Sequence, residues 1–305
     1  MKTKPLKICF DRVIPDTMAH ARHLARRSTI TDALMELGAV NPRSAMADLN
    51  PNLPGVIGRP RMALINSRKW ETGMTVRCRF LHGSNKQKAG VIKHAETWME
   101  HANLRLKFVG SGDTQVPIAF ISGDGSWSAV GTDALVESYF PKHQPTMNYG
   151  WLEDGTSDSE YRRVVLHEFG HAIGCVHEHQ SPNETLDWDK EAVYRYFSGS
   201  PNFWSKADID HNVLRKYSPE GMSATIFDPK SIMLYQFAAE LFSDGEGTPS
   251  NTKLSDMDKR MIREMYPFPA KPQAARATRG GTRAAAAPAD AGSPPTSARA
   301  NELVR

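Results

Sequence analysis

The stretch His167-Glu168-Phe169-Gly170-His171-Ala172-Ile173-Gly174-Cys175-Val176-His177 sets three imidazoles, one carboxylate and one glycine at the spacing H-E-x-x-H-x-x-G-x-x-H. Residues four apart on an α-helix lie one turn above each other, so His167 and His171 would present their rings to one point, with Glu168 beside them. Gly174 can take φ > 0, stop the helix and turn the chain so that His177 approaches the same point from another side. Three neutral nitrogens and an open fourth position describe a catalytic zinc site. With 11 His and 22 Gly in 305 residues, a shuffled chain would hold these five positions with a probability on the order of 10⁻⁴ or less. That weighs against a helix carrying solvated or core histidines by accident. Zinc is the expected ion because imidazole suits it and no thiolate is placed to help. Cys175 follows the turn residue and reads as a packed core side chain.

A helix must hold the first two histidines, and Ser157-x-x-Glu160 reads as the capping box that opens it. Val164, Val165, Leu166, Phe169, Ala172 and Ile173 cover most of its surface apart from the ligand face, so the helix is expected to be buried. Upstream, Thr75 to Leu81 alternates with Val76, Cys78 and Phe80 inward and reads as a strand in which Cys78 is a buried thiol. Ser84-x-x-Gln87 caps a helix to about Ala102 with Ile92, Ala95, Met99 and Ala102 as its stripe. Strands follow at Arg105 to Val109 and Pro117 to Ser122, then two short sheet segments near an edge, Ser126 to Gly131 and Thr146 to Trp151. This order suggests an α/β unit with a twisted mixed β-sheet, and the fold class expected for the whole domain is α+β. Beyond His177 the chain is loop-rich, with helices expected from Asp189 to Phe197 and Lys206 to about Leu214. Asp228 to Tyr235 reads as a turn, and Ser255-x-x-Asp258 caps a last helix whose Met257, Met261, Ile262 and Met265 face the core.

The organisation read from composition has three parts. Residues 1–60 form an N-terminal extension or pro-segment, with short helical pieces near Thr17 to Arg26 and Asp32 to Leu37, then a Pro- and Asn-rich stretch. Residues 61–267 form the main domain, and 268–305, rich in Ala, Pro, Gly, Ser and Arg, read as a disordered tail. Net charge is only +4, too little to argue for nucleic acid. No 18-residue apolar run exists to span a membrane. Three cysteines, Cys9, Cys78 and Cys175, do not make a disulfide scaffold. The basic N-terminus lacks the apolar core of a secretory signal, so the expected compartment is the cytoplasm, or an exterior reached by a route without a signal peptide, unless the true start codon lies elsewhere. Monomer is the default oligomeric state.

The zinc motif, the turn Ser231-Ile232-Met233-Leu234-Tyr235 and a helix ending in Met265-Tyr266-Pro267 resemble the metzincin metallopeptidases, and within them the astacin-like bacterial peptidases. Glu178 directly after the third histidine, the continuation His179-Gln180-Ser181-Pro182, the S-x-M-x-Y turn and Trp127-Ser128-Ala129-Val130-Gly131 carry that choice. The resemblance covers about 61–267. It implies a metzincin-type catalytic domain of two subdomains, about 61–177 and 178–267, with the active-site helix above a loop-rich C-terminal half. It implies His167, His171 and His177 as zinc ligands, Glu168 as base, Met233 as a packing floor, Tyr235 as a swinging additional ligand and Glu178 as a structural carboxylate. The expected reaction is endopeptidase hydrolysis of protein or peptide substrates, with Glu168 taking a proton from water and returning it to the leaving amine. An extended peptide would pair with an edge strand at Trp127, Ser128 and Val130. The alternative is a catalytically weak, zinc-dependent peptide-binding module. The sequence departs from secreted astacins in holding Ser126 where they carry a cysteine and Leu234 where they carry a histidine. In the extension, Cys9, Asp11, Asp16 or Asp48 could block the metal as metzincin pro-segments do. His179 and the remaining histidines are expected at the surface.

Overall fold

Serine and aspartate side chains open the helices by accepting backbone N–H groups that have no partner within the first turn. The computed structural model describes residues 68–200, 203–217 and 226–269, with the backbone of three short strands at 9–12, 64–65 and 222–223. Helix α1 (Asn85–Ala95) carries the full capping box of Ser84 and Gln87. Helix α2 (Asp158–Ala172) is capped by Ser157 alone. Glu160, expected to close a box there, instead pairs with Arg163 and accepts from Trp151 Nε1. Asp189 caps α3 (Lys190–Ser198), Ser205 with Asp208 caps the short α4 (Lys206–Ile209), and Ser255 with Asp258 caps α5 (Asp256–Met265).

The strands are β1 (Cys9–Arg12), β2 (Leu64–Ile65), β3 (Thr75–Phe80), β4 (Arg105–Phe108), β5 (Val116–Ala119), β6 (Ser126–Ala129), β7 (Met147–Tyr149) and β8 (Met222–Ser223). Six of them form one mixed sheet in the order β1-β6-β7-β5-β3-β4, while β2 and β8 make an antiparallel pair. β4, β3, β5 and β7 run parallel, β6 is antiparallel to β7, and β1 runs parallel to β6 with Cys9 opposite Ser126 and Arg12 opposite Ala129. This is the α+β architecture with a mixed sheet expected from the sequence. Two expectations change. The segment at Ser126 to Ala129 is flanked on both sides, because part of the N-terminal extension has joined the sheet. The stripe of α1 and the turn after it is also rotated: Val91, His94, Ala95, Trp98 and Ala102 are the buried residues, His94 against the surface position expected of it, while Ile92 and Met99 are half-buried. The α-helix stops at Ala95 and continues as a tighter 3₁₀ turn, Glu96–Glu100, in which Trp98 is the buried residue.

α2 lies against this sheet and α1, with Val164, Val165, Leu166, Phe169 and Ala172 buried in the main core. A second, smaller core gathers Val193, Phe197, Ile209, Val213, Tyr235, Phe237, Leu241 and Phe242 in the C-terminal half. The helix expected to reach Leu214 gives way after Ile209 to a wider turn, Asp210–Leu214, closed by Arg215 N–H donating to Asp210 O at 2.7 Å. Cys78 and Cys175 are free and buried. Burial pushes the Cys78 thiol up to about 12 and raises that of Cys175, which leaves both inert. Among the described residues no helix is long and apolar enough to cross a membrane. The chain divides after Phe268, and the second unit beyond Pro269 lies outside the described residues, as do the two short helices expected near 17–26 and 32–37.

Candidate metal centre

The last turn of α2 leaves four carbonyls without helical partners. Ile173 N–H donates to Phe169 O, Cys175 N–H to Gly170 O, Gly174 N–H to His171 O and Trp70 Nε1 to Ala172 O at 2.7 Å. The pairing of Gly174 and Cys175 back onto the helix needs the left-handed conformation, and Gly174 adopts φ +104. Tyr266 Oη then donates to Ile173 O at 2.8 Å. The helix thus ends in a fully bonded turn that redirects the chain toward His177, as the spacing predicts. Gly170 is required for a different reason: a Cβ there would lie 2.3 Å from Met233 Sδ. The absent side chain lets Met233 sit directly against the ligand helix.

His167, His171 and His177 are buried, and one ring nitrogen from each lies within 4.8 Å of the others. What the opposite nitrogens do decides the chemistry. His167 Nδ1 meets Ile232 O at 2.8 Å, His171 Nδ1 meets Cys175 O at 2.9 Å and His177 Nδ1 meets Gln180 Oε1 at 3.2 Å. Carbonyl oxygens can only accept, so each Nδ1 carries the proton and each Nε2 presents a lone pair. The Nε2 atoms of His171 and His177 then face each other at 3.0 Å, and His167 Nε2 has no hydrogen-bond partner among the described residues. Lone pairs converging in a buried space fit a bound cation. Burial, with the His171 ring second in effect, holds His167 and His177 well below the usual histidine range, in the neutral form that ligation needs.

The remaining expected residues fall around this point. Glu168 follows His167 on α2 and is fully buried. Tyr235 Oη lies 2.5 Å from His177 Nε2, with its ring 4.3 Å from that of His177 and 5.3 Å from that of His167. Glu178 is buried, donates its N–H to Met233 O at 3.0 Å and accepts Asp228 N–H at 2.8 Å, while its Oε2 has no partner among the described residues. Burial pushes its carboxyl up to about 8. Trp127, Ser128 and Val130 are buried on and just after β6. The side of β6 expected to be open is occupied by β1. Ser126, where a cysteine was missed, accepts Gly150 N–H at 3.2 Å and ties β6 to the end of β7.

Three supporting residues were not foreseen. Asp258, the capping partner on α5, also accepts from Ser231 Oγ at 2.8 Å and Ile232 N–H at 2.9 Å, so the residue whose carbonyl meets His167 is held through its N–H. Gln180 is the partner of His177. His179, expected at the surface, is buried at 1% exposure. Its ring lies 5.1 Å from that of His177 and 4.9 Å from that of Tyr235, and Trp188 and Phe237 close the cage. Burial takes its pKa down to about 3. An aromatic spacing spread over His179, Trp188, Tyr235 and Phe237 leaves no local pattern to read.

No protein-family profile matches the chain, and no curated protein does. Solved structures do. The chain is 40% identical to a structure of myroilysin over 68% of its own length and 99% of that chain, with a TM-score of 0.65. A second myroilysin crystal structure matches at 39% identity, 66% and 87% coverage and a TM-score of 0.53. High choriolytic enzyme 1, a hatching enzyme zinc-protease from Oryzias latipes (medaka fish), matches at 16% identity over 68% of this chain and 98% of that one. Its TM-score of 0.43 is too low to carry weight. Identity at the level of myroilysin, over nearly all of that chain, extends well past a shared fold. The chain belongs to the astacin-like metzincin metallopeptidases and is a metalloendopeptidase.

Proposed function

We propose that the centre holds one zinc ion through Nε2 of His167, His171 and His177, and that Glu168 and Tyr235 carry the proton transfer and charge stabilisation of peptide-bond hydrolysis. The observation that carries this reading is the commitment of all three Nδ1 atoms to carbonyl oxygens, which leaves three lone pairs converging. Zinc, when bound, lowers the pKa of a water to about 7 and polarises a substrate carbonyl. Glu168, buried beside the ligands, takes the proton from the attacking water and returns it to the leaving amine. Tyr235 swings from its contact with His177 and donates its hydroxyl to the developing oxyanion. Met233 packs under the ligand helix against Gly170 and keeps the rings in place. Glu178 holds the turn at Asp228 and Met233.

The substrate is an extended protein or peptide segment, for which the backbone of Trp127, Ser128 and Val130 is the candidate pairing surface. Because β1 lies along β6, such a peptide would compete with β1, and this supports reading residues 1–60 as a pro-segment. The candidate blocking residues Cys9, Asp11, Asp16 and Asp48 lie outside the described side chains. Nucleic acid and membrane are not proposed as partners, and the monomer stays the working state. The test is casein hydrolysis by the full chain. Activity should vanish with a metal chelator and return with zinc; hydrolysis that is indifferent to the chelator would contradict the proposal.

A further inference from the structure

Two of the three ligand histidines give Nδ1–H to backbone carbonyls, which any residue at those positions would supply. His177 alone relies on a side chain, and that side chain is buried at 2% exposure. The Gln180 amide can be oriented from its second contact. Gln180 Nε2 lies 2.8 Å from His211 O, which can only accept, so the nitrogen faces His211 and Oε1 faces His177. The backbone of Gln180 is held as well, with Tyr217 N–H donating to Gln180 O at 2.9 Å. His179 Nε2 meets Asn212 O at 3.2 Å, which adds a neighbouring tie to the same segment. The segment 210–217 therefore orients the amide, and the amide orients the third ligand.

We infer that Gln180 is a positioning residue for the metal centre: by accepting the Nδ1 proton of His177 it selects the tautomer whose Nε2 can bind the ion. The inference rests on the metal-site reading above. A carboxamide at this place does what a backbone carbonyl does for the other two ligands, and it also transmits the position of His211 to the metal. Removing it takes away the acceptor that keeps the proton on Nδ1, and a ring turned over or protonated on Nε2 cannot ligate.

The experiment compares full-length wild type, Gln180→Leu and Gln180→Glu. Leucine keeps the bulk and loses the acceptor; glutamate keeps an acceptor for His177 and gives up the donor to His211 O. Zinc affinity is measured by competition with a chromophoric chelator, the melting temperature is measured on the metal-free proteins, and the His177 tautomer is read by ¹⁵N imidazole correlation spectra. The expected result is zinc affinity lowered about 10–100-fold in Gln180→Leu, with loss of the pure Nδ1–H tautomer at His177, and in Gln180→Glu recovery of the tautomer with affinity between that of Gln180→Leu and wild type. Wild-type zinc affinity and an unchanged tautomer in Gln180→Leu would overturn the role of Gln180 while leaving the metal centre standing. A lower melting temperature in Gln180→Leu with affinity and tautomer unchanged would make the residue merely structural and would also overturn it. A wild-type chain that binds no zinc would overturn both readings together.

Discussion

The two halves of the metal centre are held by different physics. α2 brings His167, Glu168 and His171 together by helical geometry alone, and the large core around Val164, Leu166 and Phe169 holds that helix. The return half, His177 to Ser181 with 228–235, has almost no regular structure. It is assembled by hydrogen bonds between residues far apart in the chain: His167 to Ile232, Ile232 to Asp258, Glu178 to Asp228 and Met233, Gln180 to His211. Apolar packing is non-directional and tolerates small losses, whereas a buried polar bond costs more when half of it is removed than it contributes when made. Truncations of packed apolar side chains at the helix and its contacts should therefore act through stability. Losses of polar groups on the return side should act through the geometry of the site and turnover.

Three substitutions sharpen or break that contrast. Met233 is fully buried where the halves meet, with Gly170 on one side of it. Met233→Ala should cost about 2–5 kcal/mol of unfolding free energy, read by urea denaturation of the full chain. A loss of less than about 1 kcal/mol would show that it is no floor for the ligand helix. Tyr235→Phe keeps the ring stacking on His177 and His179 and removes only the hydroxyl. It should lower kcat roughly 10–100-fold with KM little changed and stability near wild type. Unchanged turnover would remove the tyrosine from the mechanism.

The smallest expected effect concerns pH. Burial, partly offset by hydrogen bonds from Ile232, Ser255 and Ser231, raises Asp258 from 3.8 to about 6. A carboxyl with a raised folded pKa contributes stability that is present below its ordinary pKa and lost as pH rises through the folded value. The metal-free chain should thus lose part of its stability between about pH 4 and pH 6, and Asp258→Asn should flatten that part of the melting-temperature profile. Parallel profiles for the two proteins would show that Asp258 does not titrate there.

The same contrast explains what could be read from the sequence. The helix half was legible because its chemistry is a spacing: His167, His171 and Gly174 fall at intervals that an α-helix and a left-handed cap convert into positions. Met233, Tyr235 and Glu178 were legible only through resemblance, since a lone methionine, tyrosine or glutamate carries no period. Asp258 could be read as a cap and not as the support of Ile232, because that second role joins residues 26 apart in the chain. Trp70, which bonds to Ala172 across 102 positions, gave no signal for the same reason. His179 was misplaced because its burial depends on Trp188 and Phe237, which reach it only in the folded chain. β1 escaped notice because a four-residue strand has too few positions to show alternation.

Glu168→Gln tests the central claim most directly, because it changes one oxygen to an amide on the rigid helix half and leaves the three ligands untouched. Zinc content and casein hydrolysis should be measured on the same preparations of wild type and variant. Zinc content should be equal in both, with hydrolysis lowered about 10²–10⁴-fold in the variant. A zinc-loaded Glu168→Gln chain that hydrolyses casein at the wild-type rate would contradict it.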